Sequence, residues 1–145
     1  MNLWGVINGV QVFAPHMVER DGGHIVNIAA AEVFGMRGAA TDAAITHAIV
    51  GLSESLYREL DSMGSRVGVT LVCPALGNTA IASAPKYQSS VPPSMGYVPL
   101  NCLPPEEIAE QIVAAVAARS FWSCPRTWQG HEMSGPSRAL RPRPS

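Results

Sequence analysis

Two stretches decide the fold: His24-Ile25-Val26-Asn27-Ile28-Ala29-Ala30 and Val67-Gly68-Val69-Thr70-Leu71-Val72-Cys73. Each is short, rich in β-branched residues and nearly free of charge, which is how a strand covered on both faces reads. Between them lies a helix expected over about Asp42–Ser62. Ile45, Ile49, Leu52, Leu56 and Leu60 recur on one face of it, and Ala44, Ala48 and Gly51 mark a second face of small residues. A strand, a helix and a strand make a parallel pair, because parallel neighbours need a crossover of this length.

Working outward, residues 2–20 read as a helix, with Leu3, Val6, Ile7, Val10, Phe13, Ala14 and Met17 at helical spacing. Gly5 and Gly9 would let a second helix approach closely, Pro15 should distort the helix, and Asp21-Gly22-Gly23 stops it. Met63-Gly64 suits the C-cap of the second helix. On the other side, Pro74 ends the second strand, and residues 76–104 form a long irregular connection rich in Ser, Pro, Asn and Gly. A third helix spans about Pro105–Ala118. Its proline in the first turn, Glu106, Glu107 and Glu110 near the start and Arg119 at the end suit the helix dipole. The periodicity stops at Ser123. The chain therefore divides into an α/β part, 1–122, and a basic, proline-rich tail, 123–145, that reads as disordered. Two strands are too few to be covered on both faces by helices. The fold class is α/β: an incomplete Rossmann-like, doubly wound parallel sheet whose other strands lie outside this sequence.

Composition narrows the function classes. Of the 145 residues, 47% are hydrophobic and 14% charged, and the net charge is −1. That balance speaks for a packed domain and against nucleic acid or an anionic membrane as partner. The four arginines of the tail stand among prolines and make a poor nucleic-acid module. No apolar run is long enough to cross a bilayer, and the N-terminus has no basic signal-peptide region, so a cytoplasmic location is expected. Cys73, Cys102 and Cys124 are an odd number without close pairs in sequence. No disulfide framework is expected, and no metal site, since Cys124 and His131 alone do not make four ligands.

Several phrases, taken in order and spacing, resemble the short-chain dehydrogenase/reductase superfamily: Asn2-Leu3-Trp4-Gly5, then Gly23 to Ala29, His47-Ala-Ile-Val-Gly-Leu-Ser-Glu-Ser-Leu56, Val67 to Pro74, and Thr79. The resemblance implies a C-terminal part of that fold and NAD or NADP as cofactor, with alcohol or carbonyl oxidoreduction as chemistry. In the family a serine holds the substrate oxygen, a tyrosine transfers the proton, and a lysine one turn on tunes the tyrosine and holds the nicotinamide ribose. Here the serine position falls on Ala30, or on Ala29 counting back from the helix. The tyrosine position falls on Asp42 and the lysine position on Thr46.

Alanine has no hydroxyl, an aspartate is ionised near neutral pH and has no proton to give, and threonine carries no charge. Asn2 matches the one catalytic position that is kept, and Pro74 and Thr79 match a phrase that meets the nicotinamide. No glycine-rich phosphate loop occurs in the 145 residues. Cofactor binding is expected to be absent or very weak, and the chain inactive. The bland reading of Asp42 is a helix cap or first-turn acid, of Asn2 a helix cap, and of Thr46 and His47 ordinary helix residues. Two further readings stand beside the enzyme. One is a non-catalytic protein that forms a homo- or hetero-oligomer through helices 2–20 and 42–62, as family subunits commonly do. The other is a degenerate product of a truncated or shifted reading frame.

Overall fold

The computed structural model describes residues 2–30, 40–74 and 103–124. The elements run α1 (Asn2–Glu19), β1 (His24–Ile28), α2 (Ala40–Ser62), β2 (Gly68–Val72), α3 (Pro105–Ala117) and β3 (Trp122–Ser123). The strands form one parallel sheet in the order β1-β2-β3. Ile25 pairs with Val69 and Asn27 with Leu71, so the two stretches that open the sequence reading lie side by side.

A third strand corrects the expectation of two. Leu71 pairs with Trp122 and Val72 with Ser123, and the Leu71 and Cys73 amides donate to the Phe121 and Ser123 carbonyls at 2.6 and 2.9 Å. The strand therefore continues one residue past the point where the periodicity stops. Residues 125–145, the rest of the expected tail, lie outside the described residues.

The core follows from the alternation of side chains along the strands. Ile25, Asn27 and Ala29 of the β1 segment are buried, and Asn27 reaches Ser53 of α2, so this face of the sheet carries α2. By register Val69 and Leu71 share that face, and both are buried. Val26 and Ile28 point to the opposite face and are 38% and 55% exposed. On that side α3 packs over β2 and β3. With only two strands, Val26, Ile28, Val69 and Leu71 would all be poorly covered on one side. Only the β1 pair is, because β2 is the middle strand and has α2 and α3 on its two faces.

Helix α1 buries Ala14 and packs Leu3, Val6, Val10, Met17 and Val18 against the core. It runs through Pro15 to Glu19. No atom comes within 4 Å of a Cβ placed at Gly5 or Gly9, so the close helix approach expected there does not occur within the described residues. Asp21 adopts a positive φ of 46° after the helix, and Gly23 follows at φ 125° with its α-carbon against the Met17 side chain. The Asp21 carboxylate accepts from the Arg66 amide and pairs with its guanidinium, both at 2.9 Å. These contacts hold that carboxyl below its ordinary range and tie the end of α1 to the entry of β2. Gly64, at φ 65°, caps α2 as expected, and the next amide, Ser65 N–H, donates to the Leu60 carbonyl.

His24 and Thr70 join the first two strands. The Thr70 hydroxyl donates to the Ser120 carbonyl at 2.7 Å, so the His24 Nε2, at 2.7 Å from the same oxygen, must be the donor to it. The ring occupies the space that a side chain at position 68 would need, which is why Gly68 stands opposite.

Partial burial, and then the positive charge of Arg119, push the His24 imidazole below its ordinary pKa. The folded chain thus binds this proton less readily than the unfolded chain, whose histidine titrates near about 6.5. Stability from His24 is fully present above that pH and is lost as pH falls through it. Urea midpoints measured between about pH 7.5 and pH 5.5 should fall in the wild type, and His24→Gln should flatten that slope. An unchanged slope in the variant would show that the imidazole is not held neutral.

Candidate functional site

In an open parallel sheet, ligands bind outside the carboxyl ends of the strands. The short turn at residues 20–23 makes α1 run back against β1, and α2 leads down to β2 in the same way. The N-termini of α1 and α2 therefore lie at the end of the sheet where β1, β2 and β3 finish. Asn2, Ala30, Asp42, Pro74 and Cys124 share that end.

Their local geometry is specific. Ala30 is half-buried, just after Ala29, whose amide donates to the Val72 carbonyl at 2.8 Å. Asp42 is exposed in the first turn of α2, a turn-one acid rather than the cap, because the helix already starts at Ala40. Thr46 is 4% exposed, and its hydroxyl donates to the Asp42 carbonyl at 2.5 Å. The sequence reading took it for an ordinary helix-face residue; it is in fact buried and turned onto its own helix. His47 is exposed, with Nδ1 at 2.8 Å from the Ala43 carbonyl. Asn2 is exposed at the start of α1, and Pro74 is half-buried. Thr79 and Cys102 lie outside the described residues.

Two polar side chains that the sequence reading did not single out as a pair sit deep in the fold. Asn27 donates to the Ser53 hydroxyl at 2.9 Å, and Ser53 donates to the Ile49 carbonyl at 2.8 Å. Both residues are buried, with their hydrogen bonds made inside the core, so they pin β1 to α2. The one available signal was an amide inside an otherwise apolar strand.

A cleft of about 450 Å³ opens between α1 and β1, lined by Gly5, Gly9, Phe13, Met17 and residues 24–28. Ala30, Asp42 and Thr46 do not line it. It follows the outer edge of β1, beside which no strand lies among the described residues. Among those residues there is also no cluster of three metal-ligating side chains, and no helix is long and apolar enough to cross a membrane.

A parallel sheet with helices on both faces, and a candidate site at its strand ends, defines a protein of the doubly wound, Rossmann-like α/β class. Within that class the chain belongs to the short-chain dehydrogenase family, whose model matches residues 1–88. The Mycobacterium tuberculosis protein named "Probable oxidoreductase EphD" is 30% identical over 131 residues, covering 80% of this chain and 21% of that protein. An uncharacterised oxidoreductase of Staphylococcus aureus is 31% identical over 121 residues, covering 83% of this chain and 47% of its own length. A short-chain dehydrogenase from Sphingobium yanoikuyae, solved in complex with NADPH, superposes with a TM-score of 0.74 at 20% identity. It covers 99% of this chain and 56% of that one. LigO from a Sphingobium strain, in its apo form, superposes at 0.62 with 27% identity, over 90% and 44% of the two chains. The chain thus spans about half or less of the relatives it matches by sequence.

Proposed function

We propose that this chain carries the short-chain dehydrogenase scaffold without the family's chemistry: taken as these 145 residues, it neither binds NAD or NADP productively nor turns over an alcohol or carbonyl. The observation that carries the reading is Thr46. At the position where the family places a lysine, the side chain is buried and its only hydroxyl proton is spent on the Asp42 carbonyl. No cation is offered to a nicotinamide ribose there. One turn earlier, Asp42 offers a carboxylate in place of a phenol, and Ala30 offers no hydroxyl. The residues present do not fit the cofactor, so no proton or hydride step is written through it. Asn2, Pro74 and Thr79 remain as vestiges of the family pattern with no partners to act on. A cytoplasmic location goes with this reading, since three cysteines without close pairs in sequence give no disulfide framework of the secreted kind. The test is calorimetric titration with NADH and NADPH, where binding no tighter than about millimolar is expected.

A second reading concerns partners, and the surface favours it. Along α2, Ala44, Ala48, Gly51 and Ser55 form one exposed stripe of small residues. On α1, Trp4 and Val12 are 67% and 56% exposed. Small residues let another helix approach closely, and exposed large apolar side chains favour burial against one. The reading is a non-catalytic subunit that pairs through α1 and α2 with a second copy or with an intact relative. Sedimentation at about 100 µM should show a dimer, and Ala48→Arg should return it to monomer, by placing a charge in the helix contact. A wild-type monomer at that concentration would remove the homo-oligomer.

A further inference from the structure

Cys73 and Cys124 stand far apart in sequence but side by side in the sheet. Leu71 pairs with Trp122 and Val72 with Ser123, so the next residues of β2 and β3 in register are the two cysteines. The Cys73 amide donates to the Ser123 carbonyl at 2.9 Å, which extends the pairing to that point. Register partners on parallel strands carry their side chains on the same face, with backbones about 4.8 Å apart. A disulfide needs α-carbons about 4.4–6.8 Å apart, so the spacing is within reach without moving a strand. The two thiols are near enough that each shifts the ionisation of the other. Cys73 is fully buried and Cys124 is half-buried, at the lip of the sheet where the strands end.

We propose that Cys73 and Cys124 are a redox pair that closes to a disulfide across the ends of β2 and β3 by exchange with a low-molecular-weight disulfide of the glutathione type. The order of events follows from the asymmetry of the pair. Cys73 is sealed in the core while Cys124 reaches the surface, and the neighbouring Cys124 sulfur and then burial push the Cys73 thiol up. Cys124, the more accessible of the two, attacks one sulfur of the small disulfide. A Cys124–glutathione bond forms, the small S–S bond breaks, and one thiolate leaves. Cys73 then gives up its proton and attacks the Cys124 sulfur, expelling the second thiolate. The protein is oxidised by two electrons, and the small disulfide is reduced to two thiols.

The third cysteine, Cys102, provides an internal control. In an unfolded chain the Cys73–Cys124 bond closes the longest of the three possible loops and is the least favoured by chain entropy. Its predominance therefore reports the native register. The test incubates the full chain with oxidised glutathione, alkylates the remaining thiols and maps disulfide-linked peptides. The expected result is a Cys73–Cys124 link as the main internal bond, giving way in urea to links through Cys102. Cys73→Ser should trap glutathione on Cys124, and Cys124→Ser should leave the native Cys73 unmodified. Far-UV circular dichroism of both variants checks that they keep the fold. A main link through Cys102 in the native chain, or glutathione that stays on Cys124 of the wild type, would overturn the proposal. So would the absence of any oxidation.

Discussion

Phe121→Ala should abolish the cooperative fold of the isolated chain at room temperature. The phenylalanine is 1% exposed and meets the rings of Tyr57 and Trp122 edge-on, with centroids 5.1 and 5.2 Å away. Truncating a buried phenylalanine costs about 3–5 kcal/mol. An intact domain has about 5–15 kcal/mol in all, and this chain exposes Phe13, Val26 and Ile28 along the edge of its sheet. Its reserve therefore lies at the low end of that range. The substitution also loosens β3, because the Phe121 carbonyl accepts from the Leu71 amide in the centre of the sheet. Urea unfolding followed by far-UV circular dichroism should show a broad transition, or none, in the variant. A loss smaller than about 1 kcal/mol would mean that β3 is not part of the cooperative unit.

The second large effect is one of absence. Ala30→Ser, Asp42→Tyr and Thr46→Lys together put the family's three side chains back at their positions. No ketone reduction by NADPH above the wild-type blank is expected. The 145 residues hold no glycine-rich strand-to-helix turn to cradle the pyrophosphate, so the hydride donor is not held near the rebuilt triad. Thr46→Lys adds a cost of its own. Position 46 is 4% exposed, and an ammonium group there is desolvated with no buried carboxylate among the described residues to pair with it. The triple variant should therefore unfold at lower urea than the wild type while remaining silent in the assay. Measurable cofactor-dependent turnover would refute the account of the site.

The elements with a long apolar period were legible from sequence. All three helices lie within two residues of their expected ends, and β1 and β2 lie inside the stretches that read as strands. β3 was not legible, because two residues are too short to show a period. Phe121 and Trp122 looked like the end of a pattern when they are the entry to a strand. Its presence makes β2 a middle strand, and that depends on a partner some fifty residues away. The positions of Ala30, Asp42 and Thr46 came from the family resemblance rather than from any periodicity. Spacing alone did not show that Thr46 points inward and bonds to its own helix. The Cys73–Cys124 pair was hidden for the same reason as β3, since the register that joins them is set by β3 itself.

The most direct test of the central claim is calorimetric titration of the purified chain with NADPH and NADH, with its monomer or dimer state fixed beforehand by sedimentation. A chain that keeps the scaffold but not the cofactor site should bind both with a dissociation constant of about one millimolar or weaker. A micromolar constant for either would contradict it.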